Sequence, residues 1–497
     1  MDFIRNFPAI SMILAMAAAI ISSGLKGKWA RRLSYVIVSV EIILSSASFM
    51  YCRSLKTSFI YKMGKFSAPW GNEIRFGTLE CLISTFFCVI MLLALIGGAK
   101  HLSSQVDPFK ENLYYVLLDL LLASLLALVY TNDLFTAYVF IEINTISGCG
   151  LIMIRERGKT LEAAVRYMIM SLIGSGMFLF GMCILYDITG QLLMQPIREA
   201  VANLAATGSY QVPLTVSIAF MGVGLAVKSA LFPFHSWVPD AYGYSTTSSA
   251  AILSSLVSKG YIVLLIKLIY RVIGYEVIAK SGLLDVLFVF GLCGMMFGSI
   301  SAINENNISR MIAYSSVAQI GYIYMGIGLA SEEGIVASIF HIMSHGATKC
   351  LLFIASYGLI EASFDSRKFI DLQGAGYRNK VAGVAFTVGS LSMVGVPMFS
   401  GFISKILFAQ SAVHVGTLRM LPTLICLAIS TILNVIYFMK TVIRIYTPEP
   451  NCRYSVKLKD NLGYGIACLL LIGVNIYLGL SSEPIVEAIM EGLGVLS

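Results

Sequence analysis

The feature that most constrains this chain is a series of apolar runs, each about 20 residues long and bounded by polar residues. A run of that length crosses the hydrocarbon core of a bilayer as one helix. Read in this way, the 497 residues predict about fourteen membrane-spanning helices, numbered here as spans one to fourteen. The predicted spans cover residues 7–25, 33–52, 81–99, 113–131, 134–154, 164–186, 213–235, 245–272, 283–303, 308–329, 334–360, 382–412, 418–445 and 462–481. The predicted fold class is therefore an all-α polytopic membrane protein.

The composition excludes the other broad classes. Hydrophobic residues make up 57% of the chain and charged residues 12%, and the mean hydropathy is +0.82. A soluble domain is about a quarter charged, so a soluble enzyme and a disordered chain are both excluded. An outer-membrane barrel would alternate apolar and polar residues along short strands. The formal net charge of +8 indicates basic loops beside anionic lipid and does not indicate nucleic-acid binding.

The lysines and arginines of the loops are divided unevenly between the two sides. One set of alternate loops holds eighteen of them, including Arg453, Lys457 and Lys459, whereas the opposite set and the N-terminus hold ten. Cytoplasmic loops carry the excess of positive charge. We therefore expect both termini to lie outside. The apolar run from residue 7 is interpreted as a retained first span, because no cleavage site stands out after it.

Apart from four arginines at span ends that are counted with the loops, seven basic residues fall inside the predicted spans, and the apolar background makes them conspicuous. They are Arg166, Lys228, Lys259, Lys267, Lys349, Lys405 and Lys440. Arg166, Lys267 and Lys440 lie toward helix ends, where long side chains reach the headgroups. The other four lie deeper, where a charge facing lipid costs about 2.5–3.5 kcal/mol. These four are predicted to face protein or water.

The acidic residue predicted to balance one of these lysines is Glu142. It is the only acid between Asp133 and Glu156, within a long apolar run. A carboxylate in such surroundings must be neutral, paired or hydrated. We expect an ion pair across helices with Lys228, and the competing interpretation is a packing contact without a transport role.

Prolines interrupt two spans that also carry lysines. Span seven reads MGVGLAVKSALFPFHSWVPDAY and contains Pro233 and Pro239, and span twelve reads VGSLSMVGVPMFSGFISKILFAQ and contains Pro397. Proline removes a backbone donor and clashes with the preceding turn, so both helices are predicted to be broken. Broken backbone at membrane depth is tolerated only beside protein or water, and paired broken helices mark ion pathways in transporters with internal repeats.

A row of ionisable residues lies on one face of span eleven. His341, His345 and Lys349 are spaced four residues apart in FHIMSHGATKCLLF, and Lys259 lies among serines in span eight. Histidine titrates near neutral pH, and burial disfavours the charged form of lysine, so both can exchange protons. The predicted proton or ion translocation sites are Glu142, Lys228, Lys259, His341, His345, Lys349 and Lys405.

Other kinds of site receive little support from the sequence. The ten cysteines form no CxxC pair and no cluster with histidine at zinc or iron–sulfur spacing. A metal at the two histidines of span eleven lacks a nearby third ligand. We therefore expect no metal and no other cofactor, and no catalytic residues for redox chemistry within this chain.

Six stretches of the sequence carry a resemblance to a known family. They are TNDLFTAYVFIEI, VKSALFPFHSWVPDAY, SSAAILSSLVSKGYIV, ISRMIAYSSVAQIGYI, FHIMSHGATKCLLF and GVPMFSGFISKILF. They resemble the antiporter-like subunits of respiratory complex I, of Mrp cation/proton antiporters and of membrane-bound energy-converting hydrogenases. The segment YKMGKFSAPWGNEI is most similar to the D-type subunit of Mrp antiporters and its hydrogenase counterparts. Departures from the family pattern, such as Glu80 and Met398, indicate a divergent branch.

The resemblance implies both an architecture and a set of sites. Residues 1–112 would form three helices with an outer hairpin, for which residues 61–80 have short-spaced glycine, proline and aromatic residues. Residues 113–272 and 283–445 would form two inverted five-helix repeats, spans four to eight and nine to thirteen, and residues 446–497 a loop and the last helix. The ion-translocating positions of the family fall on Glu142, Lys228, Lys259, His341, His345 and Lys405.

The leading functional hypothesis is a proton- or cation-translocating subunit of a larger complex in a prokaryotic plasma membrane. Its partners would be other membrane subunits, including further antiporter-like ones, and a redox module such as a hydrogenase. The alternative within the family is the D-type subunit of an Mrp Na⁺/H⁺ antiporter. A stand-alone transporter of an organic solute is less favoured, because the charges form a row rather than a cluster. A membrane enzyme lacks a supporting motif, and a passive scaffold with vestigial charges is the remaining alternative.

Overall fold

The computed structural model describes residues 2–66, 71–448 and 461–496, and these are almost entirely helical. The first half of the chain contains α1 (Phe7–Gly24), α2 (Gly27–Leu55), α3 (Thr78–Gln105), α4 (Glu111–Tyr130), α5 (Leu134–Met153), α6 (Thr160–Thr189), α7 (Met194–Thr207), α8 (Gln211–Lys228), α9 (Val238–Tyr244), α10 (Thr247–Ile252) and α11 (Ser258–Lys267). The second half contains α12 (Tyr275–Lys280), α13 (Leu283–Asn304), α14 (Ile308–Gly328), α15 (Glu332–Glu361), α16 (Ala375–Arg378), α17 (Lys380–Val394), α18 (Ser400–His414), α19 (Thr417–Ile445), α20 (Leu462–Leu480) and α21 (Glu483–Leu496).

Twelve helices among the described residues are long and apolar enough to cross a membrane. Two further predicted spans correspond to α14 and to the interrupted pair α17 and α18. The prediction of an all-helical multi-pass membrane protein with about fourteen spans is therefore confirmed. The division into two inverted repeats stays a prediction.

Two amphipathic helices were not predicted from the sequence. α7 and α21 have 14 residues each, too short to cross a bilayer, and each buries one apolar face on the bundle. A search for runs of about 20 apolar residues passes over such helices, because their outer faces are polar.

Two helices form the buried centre of the bundle. One runs from Thr247 to Ile273, where α10 and α11 are joined and extended by the π-helical turns Leu253–Val257 and Leu268–Ile273. The other is α15, which has the lowest mean hydropathy of the twelve long helices, 1.3. Both are enclosed by protein on every side, whereas α2 and α19 expose most of their surface at the rim. The polar residues of the central helices therefore face other helices rather than lipid.

Both predicted helix interruptions are present. α8 ends at Lys228, and an irregular segment that contains Pro233 leads to α9. Pro239 lies in the first turn of α9, where its missing N–H has no helical partner to lose. α17 ends at Val394, and the next residue, Gly395, has a φ of +90°, a conformation that glycine adopts without steric cost. Pro397 follows in the gap before α18.

The predicted hairpin is formed by an antiparallel pair of strands, β1 (Phe59–Lys62) and β2 (Glu73–Phe76). Its tip, residues 67–70, lies outside the described residues, as do the loop charges Arg453, Lys457 and Lys459. β2 is largely buried against α1, α3 and α4, and its Arg75 donates a hydrogen bond to the Val495 carbonyl of α21. Arg75 also pairs with the buried Glu80 at 2.8 Å.

Lys267 differs from its sequence-based prediction. It was expected to reach the headgroups, but it is buried and donates hydrogen bonds to the carbonyls of Val129, at 2.8 Å, and Thr131. It lies near the end of α11, but the helix continues to Ile273 and is enclosed by protein, so no headgroup is within reach. Arg166 and Lys440, in contrast, are exposed.

The Arg75–Glu80 pair gives a stability prediction. Replacing Arg75 with Ala leaves the buried Glu80 carboxylate without its counter-ion, which is expected to destabilise the protein by about 3–5 kcal/mol. The matched control is Arg53→Ala, because Arg53 makes only partly exposed, long contacts of 3.9 Å with Glu487 and 3.8 Å with Glu491 and is expected to change stability by less than about 1 kcal/mol. Thermal unfolding of the purified protein in detergent measures both. Equal midpoints for the two variants would contradict the prediction.

Candidate functional site

Lys228 is the last residue of α8, where the helix breaks, and it is almost fully buried. Its ammonium donates a hydrogen bond of 2.5 Å to the hydroxyl of Thr145 on α5. The stem of the side chain passes Gly174 of α6 so closely that a Cβ there would lie 2.9 Å from the Lys228 Cγ. A glycine at this position leaves room for the lysine between α6 and α5.

The predicted ion pair between Glu142 and Lys228 is not formed. Glu142 is half-buried and makes no ion pair among the described residues, although it is near enough to act on the Lys228 ammonium through space. The physical reason is the position of Thr145, three residues after Glu142 on α5. The Thr145 hydroxyl accepts a hydrogen bond from the Lys228 ammonium, the role that the sequence analysis assigned to the Glu142 carboxylate.

A tyrosine on α11 connects Lys228 with the next helix. The ring centroid of Tyr261 lies 5.3 Å from the Lys228 ammonium nitrogen, within cation–π range. The Tyr261 hydroxyl donates to the Asn144 side-chain oxygen at 2.9 Å, and Asn144 donates in turn to Ser124 at 2.9 Å. These buried polar groups hold the ring in place beside the lysine.

Lys259 lies two residues before Tyr261 and has no exposed surface. Its ammonium donates to the backbone carbonyl of Ser254, which belongs to the π-helical turn that precedes α11. The wider π turn loosens the regular ladder, and such turns are frequent at functional sites. The Ser254 hydroxyl also contacts the Ser316 hydroxyl of α14 at 3.0 Å, which extends the polar path between helices.

His341 and His345 are stacked on α15, with ring centroids 5.8 Å apart and planes 8° apart. All four ring nitrogens are buried and have no hydrogen-bond partner among the described residues. Buried polar groups in proteins are almost always satisfied by protein or by ordered water. Water is therefore the partner that remains for these nitrogens. Tyr322 stacks on His341, with ring centroids 5.6 Å apart.

Lys349 continues the same face of α15 and is fully buried. Its ammonium donates to the Ile312 carbonyl at 2.8 Å and to the Ser315 hydroxyl, both on α14. Lys405 of α18 is the least buried of the four deep lysines. It donates to the Val394 carbonyl, at the end of α17, at 2.6 Å.

Lys259 is the central residue of the row of buried lysines and histidines. It lies within electrostatic range of His341, His345 and Lys349, and Lys405 lies within range of His341. The structure thus places the predicted site residues in one row, from Lys228 at one helix break to Lys405 at the other. Thr145, Tyr261 and Ser315 also belong to this row, although the sequence analysis did not select them. The sequence feature that could have indicated them is a hydroxyl side chain within an otherwise apolar span.

A protein-family model described as the NADH:quinone oxidoreductase/Mrp antiporter transmembrane family matches residues 131–431. The match covers more than half of the chain and includes the whole row. The chain belongs to this family. It is an antiporter-like subunit, as the sequence resemblance implied.

Curated relatives of this antiporter-like subunit match over nearly their full length. NADH-quinone oxidoreductase subunit N of Desulforudis audaxviator is 28% identical over 476 residues, which cover 92% of each chain. The protein of the same name in Thioalkalivibrio sulfidiphilus is 28% identical over 484 residues, which cover 96% of each chain.

Two solved structures have the same fold as this antiporter-like subunit. A chain of the membrane-bound sulfane sulfur reductase, an archaeal respiratory membrane complex, superposes with a TM-score of 0.88 at 24% identity, covering 100% of this chain and 98% of that one. A chain of the Mrp complex from Dietzia sp. DQ12-45-1b gives 0.86 at 22% identity, with the same coverage. The fold is therefore shared by a respiratory complex and an antiporter complex.

The contact between Lys228 and Thr145 gives a prediction for transport. In a Thr145→Val variant, the ammonium loses its hydrogen-bond acceptor, and a hydrogen bond to a charged group contributes about 1.5–3 kcal/mol. Proton flux through the assembled complex is expected to fall by about 10- to 100-fold.

The matched control is Thr145→Ser, which keeps the hydroxyl and is expected to retain most of the flux. Flux is measured with a pH-sensitive dye in membrane vesicles. Wild-type flux in the valine variant, at normal assembly, would show that the contact has no part in transport.

Proposed function

We propose that this subunit carries protons along the row of buried lysines and histidines within a multi-subunit membrane complex. The observation that carries the proposal is the way in which the ammonium groups are held. Lys228, Lys259 and Lys349 are buried and hydrogen-bonded to hydroxyls and carbonyls, without a carboxylate in contact. A neutral acceptor holds an ammonium less tightly than a counter-ion does, so the proton remains exchangeable.

The sequence of transfer follows from the geometry. Glu142 favours the protonated form of Lys228 from a distance, and a displacement of Glu142 or of the broken end of α8 would release the proton toward Lys259. From Lys259 the proton would pass through water to His345 and His341. Lys405, at the second break and partly exposed, is the proposed exit site.

The proposed setting is a redox-driven complex in a prokaryotic plasma membrane, with both termini outside. The named relatives are subunits of NADH-quinone oxidoreductases, and one structural neighbour is part of an archaeal respiratory complex. The proposed partners are further antiporter-like subunits and a redox module such as a hydrogenase. The second candidate is the D-type subunit of an Mrp antiporter, which the likeness to the Mrp complex favours.

The direct test replaces each deep lysine of the intact complex in turn. Lys228→Ala and Lys259→Ala are each expected to lower proton flux by about 10²-fold or more, as when a positioned proton-transfer group is removed. The matched control is Lys440→Ala, because Lys440 lies exposed on α19 and is expected to leave the flux unchanged. Flux is followed in inside-out vesicles from cells that carry the tagged complex.

Purification of the same tagged complex distinguishes the redox-driven complex from the Mrp antiporter. Co-purified subunits with iron–sulfur or nickel–iron centres would support the redox-driven complex. Na⁺-dependent proton movement in vesicles without any redox substrate would support the Mrp alternative. Undiminished flux in both lysine variants, at normal assembly, would refute the proposed pathway in either setting.

A further inference from the structure

The buried face of α2 is polar, although α2 lies at the rim of the bundle. Most of the large apolar residues of this helix are exposed or half-buried, and its buried face combines a line of polar residues with Ala30, Ile37 and Val38. The polar members of the line are Ser34, Glu41, Ser45, Ser48 and Cys52. Their spacings of seven, four, three and four residues place them on one helix face. The line runs over the 19 residues from Ser34 to Cys52, or about 27 Å of helix, which is close to the thickness of the hydrocarbon core.

A buried carboxyl group lies at one end of this line. Asp119 of α4 has no exposed surface, and its Oδ2 accepts hydrogen bonds from Ser34 at 2.9 Å and from Ser22 of α1 at 3.2 Å. The other oxygen, Oδ1, has no partner among the described residues. Ser22 and Ser34 lie near the turn between α1 and α2, which contains Lys26 and belongs to the predicted cytoplasmic set of loops.

A second carboxyl group lies at the middle of the line. Glu41 has no exposed surface, and neither of its oxygens has a partner within 3.5 Å among the described residues, although the Ser11 side chain lies close enough to interact with the carboxyl group. Ser11 of α1 and Cys88 of α3 lie beside it. The hydroxyls of Ser45 and Ser48, on the next two turns of α2, are also buried and without partners.

The other end of the line reaches the hairpin. The Tyr130 hydroxyl of α4 lies near Ser45 and Ser84. Beyond it is the buried Arg75–Glu80 pair. A cavity of about 450 Å³ adjoins Arg75 on the hairpin side, and it is also lined by Ser58, Glu199 and Arg271. Polar groups therefore lie along the line from the α1–α2 turn to this cavity, with a gap of about 10 Å between Ser34 and Glu41, where the buried residues of α2 are Ile37 and Val38.

We propose that Glu41 and Asp119 are proton-binding sites of a second path, which crosses the membrane through α1–α4 independently of the lysine row. A lone carboxyl group without a cationic partner is tolerated at this depth only when it is protonated or hydrated. Unpartnered serine hydroxyls beside Glu41 are the groups that hold bridging water. A column this long, with its two carboxyl groups well apart, suits a relay of protons rather than the coordination shell of a metal ion.

The first test is infrared spectroscopy of the intact complex. The protonated carboxyl stretching band of Glu41 is expected in the wild-type spectrum, absent from Glu41→Gln and present in the exposed control Glu483→Gln. The band is expected to shift within minutes of transfer to D₂O, because the column connects Glu41 to the surface. No difference between wild type and Glu41→Gln, or a band that does not shift in D₂O, would overturn the proposal.

The second test does not depend on the folding of the glutamine variant. A Ser45→Ala/Ser48→Ala variant keeps both carboxyl groups but removes the hydroxyls that hold water. Deuterium exchange at Glu41 is expected to slow by about tenfold, the effect of losing a partner of a bridging water. Unchanged exchange would overturn the proposed route.

The same spectra separate this path from the lysine row. Lys228→Ala is expected to leave exchange at Glu41 unchanged, whatever it does to proton flux. Loss of exchange at Glu41 in Lys228→Ala would show that the column is filled from the lysine row and would overturn the independence of the second path.

Discussion

The rest of the structure depends on how each ammonium group is held inside the membrane. A charge at this depth in the membrane costs about 2.5–3.5 kcal/mol even on the insertion scale that gives the lowest values. Each buried lysine therefore needs a hydrogen-bond acceptor. The acceptors are hydroxyls and backbone carbonyls, and half of them lie at a helix end or in a π-helical turn. The buried lysines with such acceptors are Lys228, Lys259, Lys267, Lys349 and Lys405. Helix irregularity and lysine burial therefore occur together in this fold.

This arrangement explains why the helices are broken where they are. An unbroken α17 would use the Val394 carbonyl within its own ladder, and Lys405 would then lose its 2.6 Å hydrogen bond. The π turn before α11 has the same role for Lys259, through the Ser254 carbonyl. A backbone carbonyl binds an ammonium group less strongly than a carboxylate does, so the ammonium can give up its proton more readily.

Much of this could be predicted from the sequence. Apolar runs define the spans because length and hydropathy are local properties, and the prolines marked the breaks for the same reason. The predicted contact of Glu142 with Lys228 was wrong, because no local pattern shows that Thr145 reaches the ammonium first. The prediction that Lys267 reaches the headgroups was also wrong, because the burial of a helix end depends on which neighbouring helices enclose it. Glu41 was not selected at all, although its spacing from the serines of α2 was a usable signal.

The central claim is that water connects the buried groups of the row. The four ring nitrogens of His341 and His345 carry this claim most directly, because they have no partner among the described residues. A high-resolution electron cryo-microscopy map of the intact complex tests it. The account predicts ordered water within hydrogen-bond distance of these nitrogens and between His345 and Lys259. Stacked imidazoles in dry, apolar contact, with no ordered water between them and Lys259, would contradict it.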